Sequence, residues 1–156
     1  MRAFTLVEVM VVVVIIGLLA ALALPTYRHI TMRSKMTAVV NDLRAFSTAL
    51  VTYNLQNGKW PADTGPQVIP PEMAGALPKA FTLKTPVGGV YEWDFDCSPN
   101  GFYTKAAVTI LGTSDYPLTD DVEQLEMIDR EMDDGNLATG NIRLGSTNAL
   151  VFIIEQ

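Results

Sequence analysis

From Val9 to Leu24, sixteen consecutive residues (VMVVVVIIGLLAALAL) carry no polar side chain. Extending back through Phe4, Thr5, Leu6, Val7 and Glu8 gives a 21-residue stretch whose only polar members are Thr5 and Glu8. As a helix rising 1.5 Å per residue it spans about 31 Å, the thickness of a bilayer core of about 30 Å. A cleaved secretory signal has a shorter apolar region, about 7 to 15 residues, ending at small residues suited to cleavage. Here the run is longer and leads into Pro25, Tyr27 and a continuing helical pattern, so a retained membrane helix is expected. Gly17 and Pro25 weaken a helix locally, and membrane helices tolerate both better than soluble ones do.

Beyond Pro25 the pattern becomes amphipathic. Met36, Val39, Val40, Leu43, Phe46, Leu50 and Tyr53 recur at spacings of three and four, with Lys35, Asp42, Arg44, Ser47 and Thr48 on the other faces. Asn57-Gly58 suits the C-terminal cap, and Trp60-Pro61 opens a loop. The helix is therefore expected from Phe4 to Gln56, about 80 Å in all. Six of the nine prolines fall between residues 61 and 89, which reads as loop with a short helical turn over Pro71–Ala76.

Period-two patterning follows. Val90–Asp96 alternates, placing Glu92, Asp94 and Asp96 on a wet face opposite Trp93. Ser98-Pro99-Asn100-Gly101 reads as a hairpin turn, Phe102–Leu111 as the returning strand, and Ala149–Ile154 as a last strand. Between them a helix is expected, capped by Thr119 or Asp120, with Val122, Leu125, Ile128 and Met132 facing the core and the DDGN run at 133–136 ending it. The fold class is α+β: one long N-terminal helix packed on a small antiparallel sheet of three or four strands. The expected organisation is residues 1–3, 4–25 as the membrane helix, 26–57 as its amphipathic half, and 58–156 as a globular head.

Composition narrows the function. Eleven Lys and Arg against seventeen Asp and Glu give a net charge of −6. Residues 1–35 hold Arg2, Arg28, Arg33 and Lys35 against Glu8, a balance of +3, while residues 36–156 hold seven bases against sixteen acids, a balance of −9. A basic, apolar arm thus joins an acidic body, which argues against a nucleic-acid partner because phosphate neutralisation needs a surplus of cations. The single histidine, His29, and single cysteine, Cys97, exclude an intrachain disulfide framework and a His- or Cys-rich metal site. With no Gly-rich phosphate loop either, catalysis would fall to scattered carboxylates, and no enzyme is expected. Cys97 has no visible base beside it and reads as a passive thiol.

Glu8 is the informative residue of the arm. A carboxylate costs about 2.5–3.5 kcal/mol at the centre of a membrane helix and less near the interface, so it marks a functional site seeking a cation, or else sits at the helix N-terminus where the dipole favours an anion. Counting Lys and Arg beside the span favours a cytoplasmic body; composition alone leaves the orientation open.

The stretch AFTLVEVMVVVVIIGLLAALALP resembles the N-terminal signature of type IV prepilins and type II secretion pseudopilins. Phe4 matches the residue that becomes the mature N-terminus, Glu8 the family glutamate four residues on, and Gly17 and Pro25 the glycine and proline within and at the end of the apolar run. The likeness covers about residues 2–30, and LRAFSTALVTYNLQNGKWP is similar, more loosely, to the helix end of pseudopilin-like proteins. It implies a leader, Met1 to Ala3, removed between Ala3 and Phe4 by a prepilin peptidase that then methylates the Phe4 amine; the family carries Gly where this chain has Ala3. It further implies a single-pass protein of the inner membrane with its head in the periplasm, contrary to the Lys/Arg count. That protein would contact membrane lipid and an assembly platform before joining other pilin or pseudopilin subunits in a filament. There Glu8 would meet the N-terminal amine of a neighbouring Phe4. The absence of a cysteine pair leans toward a pseudopilin-like or minor subunit.

Residues 115–134 carry nine acids and one base. Most of them form a solvated helix face. A Ca²⁺ site is the sharper alternative, built from Asp129, Asp133 or Asp134 with loop carbonyls between Gly135 and Thr139, since carboxylates one turn apart plus a loop can supply calcium's oxygens. EF-hand spacing is absent. Some pseudopilins bind calcium in a C-terminal loop, and this chain departs from their motif. The alternative to a filament subunit is a membrane-anchored extracytoplasmic binding protein with an acidic, calcium-binding head.

Overall fold

The computed structural model describes residues 5–98, 101, 103–145 and 148–156, with Pro25 described by its backbone. The chain divides into two units, residues 1–34 and 35–156. A single helix, α1 (Leu6–Asn57), runs through both. In the first unit it is continuous through Pro25, and every described residue from Leu6 to Leu24 is exposed, the large apolar ones from 50% at Val12 to 76% at Leu6. Among the described residues of that unit, nothing covers the apolar run.

In the second unit α1 becomes the spine of a core. Met36, Val39, Val40, Leu43, Phe46 and Leu50 are buried, the stripe expected from their spacing, while Tyr53 is half-buried. Gly58 closes the helix at φ +67°, donating its N–H to the Asn54 carbonyl at 2.8 Å, the left-handed turn that glycine adopts without a Cβ penalty. Phe46 anchors the packing, its ring edge-on to both Phe81 (5.1 Å) and Tyr91 (4.8 Å).

The sheet has four antiparallel strands, β1 (Val90–Cys97), β2 (Thr104–Leu111), β3 (Ile142–Leu144) and β4 (Ala149–Glu155), in the order β1-β2-β4-β3. Tyr91 and Trp93 face α1, paired with Ile110 and Val108; the Tyr91 hydroxyl donates to Asp42 at 3.0 Å, and burial with that neighbouring carboxylate pushes the phenol upward. On the opposite face Ala107, Val151 and Ile153 form a small apolar cluster. Helix α2 (Val122–Met132) buries Leu125 and Ile128, and Arg44 of α1 reaches the Glu131 carbonyl at 2.9 Å.

Several expectations are corrected. The proline-rich segment 61–89 is irregular, yet it supplies Met73, Leu77, Phe81 and Val87 to the core, through 3-10 turns at Pro71–Met73 and Lys79–Thr82. Strand β3 carries no alternating run long enough to read; it exists because β4 offers it an edge. Helix α2 is capped by Asp121, whose carboxylate accepts from the Glu123 N–H at 3.1 Å, and not by Thr119 or Asp120. As the first helical residue, Val122 sits at the rim and is 51% exposed, so it is not a core residue. The returning strand begins at Thr104; Phe102, and Pro99-Asn100 of the expected hairpin turn, lie outside the described residues.

The β1 acids do not share a wet face either. Asp96 is exposed, but Glu92 is half-buried and Asp94 is buried, accepting from the Thr109 hydroxyl and, at 3.6 Å, from the Cys97 thiol. A neighbouring strand covers Asp94 and supplies its donor, which single-strand alternation cannot foresee.

Candidate functional site

The apolar arm begins with a reciprocal cap. The Glu8 N–H donates to the Thr5 hydroxyl oxygen at 3.2 Å, and Glu8 Oε2 accepts from both the Thr5 N–H and the Thr5 hydroxyl at 3.0 Å. Thr5-Leu-Val-Glu8 has the capping-box spacing, in which a threonine and a glutamate three residues on satisfy each other's backbone donors. That spacing was legible in the sequence and identifies Thr5 as a partner of Glu8 that the periodicity alone passes over. Phe4 and Ala3 lie outside the described residues, so the cleavage point has no structural account.

Around Gly17 a Cβ would meet nothing within 4 Å, so its small size is not required by packing within this chain. Pro25 has no N–H to give to the Ala21 carbonyl four residues earlier. Beside it the Thr26 hydroxyl leans back to the Leu22 carbonyl at 3.4 Å, and Thr31 does the same to Tyr27 at 2.9 Å. The helix holds a window long and apolar enough to cross a membrane, by length and composition.

The second group of candidate residues lies where α2 meets β3. Asp129, Asp133 and Asp134 converge, each offering a carboxylate oxygen within 4.8 Å of the others. Asp133 accepts from the Asn141 and Ile142 N–H groups, and Asp134 from the Asn136 N–H at 2.9 Å and the Thr139 hydroxyl at 2.7 Å. Those bonds draw Asp134 below the usual carboxylate range. Asp129 differs: it is fully buried, and neither carboxylate oxygen has a hydrogen-bond partner. The Gly135 and Asn136 amides lie near enough to favour its charge without closing a hydrogen bond, and burial, with the charges of Asp134 and Asp133, pushes its carboxyl upward.

A further acidic group, on β1, went unread in the sequence. Asp63, Asp94 and Cys97 also converge within 4.8 Å. Asp63 accepts the Phe95 N–H at 3.0 Å, and Asp94 is held by Thr109 and Cys97. Burial, then the Asp94 carboxylate, pushes the Cys97 thiol up to about 12, so the thiol stays protonated and unreactive. Burial, then Asp94 and Asp63, pushes Glu92 up to about 7.

Comparison with known proteins bears on the arm and on the fold. A family model described as the prokaryotic N-terminal methylation motif matches residues 1–24. A fimbrial protein of Pseudomonas aeruginosa is 32% identical over 119 residues, 72% of this chain and 70% of the relative. A type IV major pilin protein PilE1 of Neisseria gonorrhoeae is 34% identical over 89 residues, 55% of this chain and 54% of the relative. The chain spans a third to about half of the length of the first curated relatives it matches, 33% to 54%. Among solved structures, the major type IV pilin PilA1 of Clostridium difficile superposes with a TM-score of 0.56 over 82% of this chain and 98% of that one, at 17% identity. That likeness establishes the fold: a long N-terminal helix on a small antiparallel sheet.

Proposed function

The chain belongs to the type IV prepilin family, and on that premise we propose that it is a structural subunit of a type IV pilus-like filament. The observation that carries the reading is the fully exposed apolar helix, whose one charged side chain, Glu8, stands at its start. Such a surface is stable only in lipid or against other copies of itself. In lipid it anchors the subunit in the inner membrane, head in the periplasm. In the filament the same faces bundle with those of neighbouring subunits. The relatives matched are named as pilins and fimbrial proteins, which supports a pilus over a secretion pseudopilus.

Assembly begins with removal of residues 1–3 by a prepilin peptidase and methylation of the new Phe4 amine. The assembly platform then draws the helix out of lipid, and Glu8 accepts the amine of a neighbouring Phe4. Inside a water-poor bundle that pair offsets the burial of both charges and sets the axial step between subunits. Gly17 and Pro25 act in the same bundle: a glycine with open space around it allows a neighbouring backbone close approach, and the proline frees a carbonyl.

Intact-mass and N-terminal analysis of the chain, expressed with and without a prepilin peptidase, tests the first step. A mature species starting at Phe4 with one added methyl is expected; a chain still beginning at Met1 beside an active peptidase would overturn it. For the second step, a Glu8→Ala subunit is scored for incorporation beside wild type. Removing one partner of a buried pair costs about 3–5 kcal/mol, so incorporation should fall by about a hundredfold or more. Equal incorporation would refute the pairing.

A further inference from the structure

We propose that Arg28 and Arg33, with Tyr27, form a collar that binds the headgroups of anionic phospholipid where α1 leaves the bilayer. The inference rests on the membrane-anchored stage of the filament-subunit reading. Between Glu8 and Asp42 the chain holds no acid, so every charged side chain of that stretch is a cation. Tyr27, Arg28 and Arg33 are all exposed, Tyr27 at 70%. Among the described residues Arg28 makes no ion pair. The helix surface that is apolar as far as Leu24 thus turns cationic four residues later, and the collar continues the face that lipid covers.

Depth and direction select the partner. At 1.5 Å per residue, Arg28 stands about 6 Å and Arg33 about 13.5 Å beyond Leu24 along the helix. The polar layer on each side of a bilayer core is about 5–8 Å deep, and the field of its phosphates reaches about 8 Å further at physiological salt. Arg28 therefore lies among the headgroups and Arg33 within their field. Tyr27 supplies the amphipathic ring that settles at the same level. At about 100° per residue, Arg28 and Arg33 stand about 140° apart around the axis. Cations on such different sides suit a partner that surrounds the helix, as lipid does. The acidic head of a second copy, approaching from one side, would meet one of them and leave the other. Headgroup binding also gives these cations a use on the outer side of the membrane, where the positive-inside bias opposes them.

The test places the full chain in phosphatidylcholine vesicles and measures, by electron spin resonance, how much spin-labelled phosphatidylglycerol or phosphatidylcholine is held at the protein. Each cation beside an anionic surface is worth a factor of about five. In about 10 mM salt, phosphatidylglycerol should be held about tenfold or more over phosphatidylcholine, falling below about twofold in about 1 M NaCl, where screening acts within about 3 Å. The double variant Arg28→Gln/Arg33→Gln should keep its helix by circular dichroism and lose about fivefold or more of the preference. Arg28→Lys/Arg33→Lys should retain it, because the contact is made by charge. Lys59→Gln, an exposed change beyond the end of α1, should leave it unaltered. Arg2 is present in every variant, so the loss reads the collar alone. Equal association of the two lipids with the wild type, a preference undiminished in the double glutamine variant, or one that survives 1 M NaCl would each overturn the collar. So would a double glutamine variant that keeps its lipid preference and loses self-association in the same vesicles, which would assign the arginines to a neighbouring copy. Processing at Phe4 and filament incorporation are scored separately, so failure of the filament reading is told apart from failure of the collar.

Discussion

Replacing Glu92 by glutamine should make the head more stable at pH 8 and leave it nearly unchanged at pH 5. Glu92 stands half-buried on β1 beside Asp94, with Asp63 also near, and burial first, then those two charges, lifts its carboxyl from 4.5 to about 7. A carboxyl raised on folding holds its proton more tightly in the native state. Its contribution is therefore fully present below about pH 4.5, shrinks as pH rises, and is lost above about pH 7. Undamped, the rise corresponds to about 3.4 kcal/mol, and solvent screening of a half-exposed group brings it to about 1 kcal/mol. Asp94, Asp63 and the Cys97 thiol face the same patch in both proteins, so comparing variant with wild type isolates Glu92. The assay is thermal unfolding of the full chain in detergent, followed through the near-ultraviolet circular dichroism of Trp60 and Trp93. Glu92→Gln should unfold about 3–5 °C above wild type at pH 8, with the gap closing by pH 5. A gap of equal size at both pH values, or a variant less stable at pH 8, would refute the electrostatic reasoning.

Phe46→Ala removes the ring wedged between Phe81 and Tyr91 and should cost about 3–5 kcal/mol, lowering the unfolding temperature by about 10–20 °C; a drop under a few degrees would mean that the aromatic cluster re-forms without it. Cys97 should react with iodoacetamide at pH 8 about a hundredfold more slowly than a free cysteine, the loss of thiolate being partly offset by its greater intrinsic nucleophilicity. Labelling at the free-cysteine rate would contradict the half-buried, acid-flanked thiol. Asp121→Ala should destabilise by about 0.5–2 kcal/mol through loss of the α2 cap, with hydrogen exchange quickened first at the Glu123 amide; exchange there unchanged would place the cap elsewhere.

The long helix was legible because its two signals are local and strong: an unbroken apolar run, then a stripe at spacings of three and four. Phe46 and Leu50 reach the core as that stripe requires. Strand β1 was legible by period two, and β2 and β4 were read as the returning and the last strand. What the pattern missed depends on partners distant in sequence. Phe81 and Met73 lie in a proline-rich segment with no period, and only the fold shows both of them buried, with Phe81 against Phe46 of α1. Asp94 looks like a surface acid until Thr109, fifteen residues on, is placed against it. Asp129 was named from its spacing to Asp133 and Asp134, but its burial comes from the packing of α2, which spacing cannot state.

Glu8 shows how a local signal and an assembly role can share one side chain. A membrane carboxylate with no donor would raise the cost of holding the subunit in lipid before assembly. The Thr5 cap lowers that cost within the single chain, since the amide and the hydroxyl both donate to the same atom, Oε2. A carboxylate can accept at both oxygens, so among the described residues Oε1 is left for a donor from outside. Capping and pairing with a neighbouring amine therefore do not compete, and the cap fixes the rotamer in which Oε1 is offered. Thr5→Val, which keeps the side-chain shape and deletes the hydroxyl, should accordingly weaken incorporation less than Glu8→Ala does while leaving membrane insertion intact. A Thr5→Val subunit excluded from filaments as fully as Glu8→Ala would mean that the hydroxyl is itself part of the intersubunit contact, and the separation of cap from pair would fail.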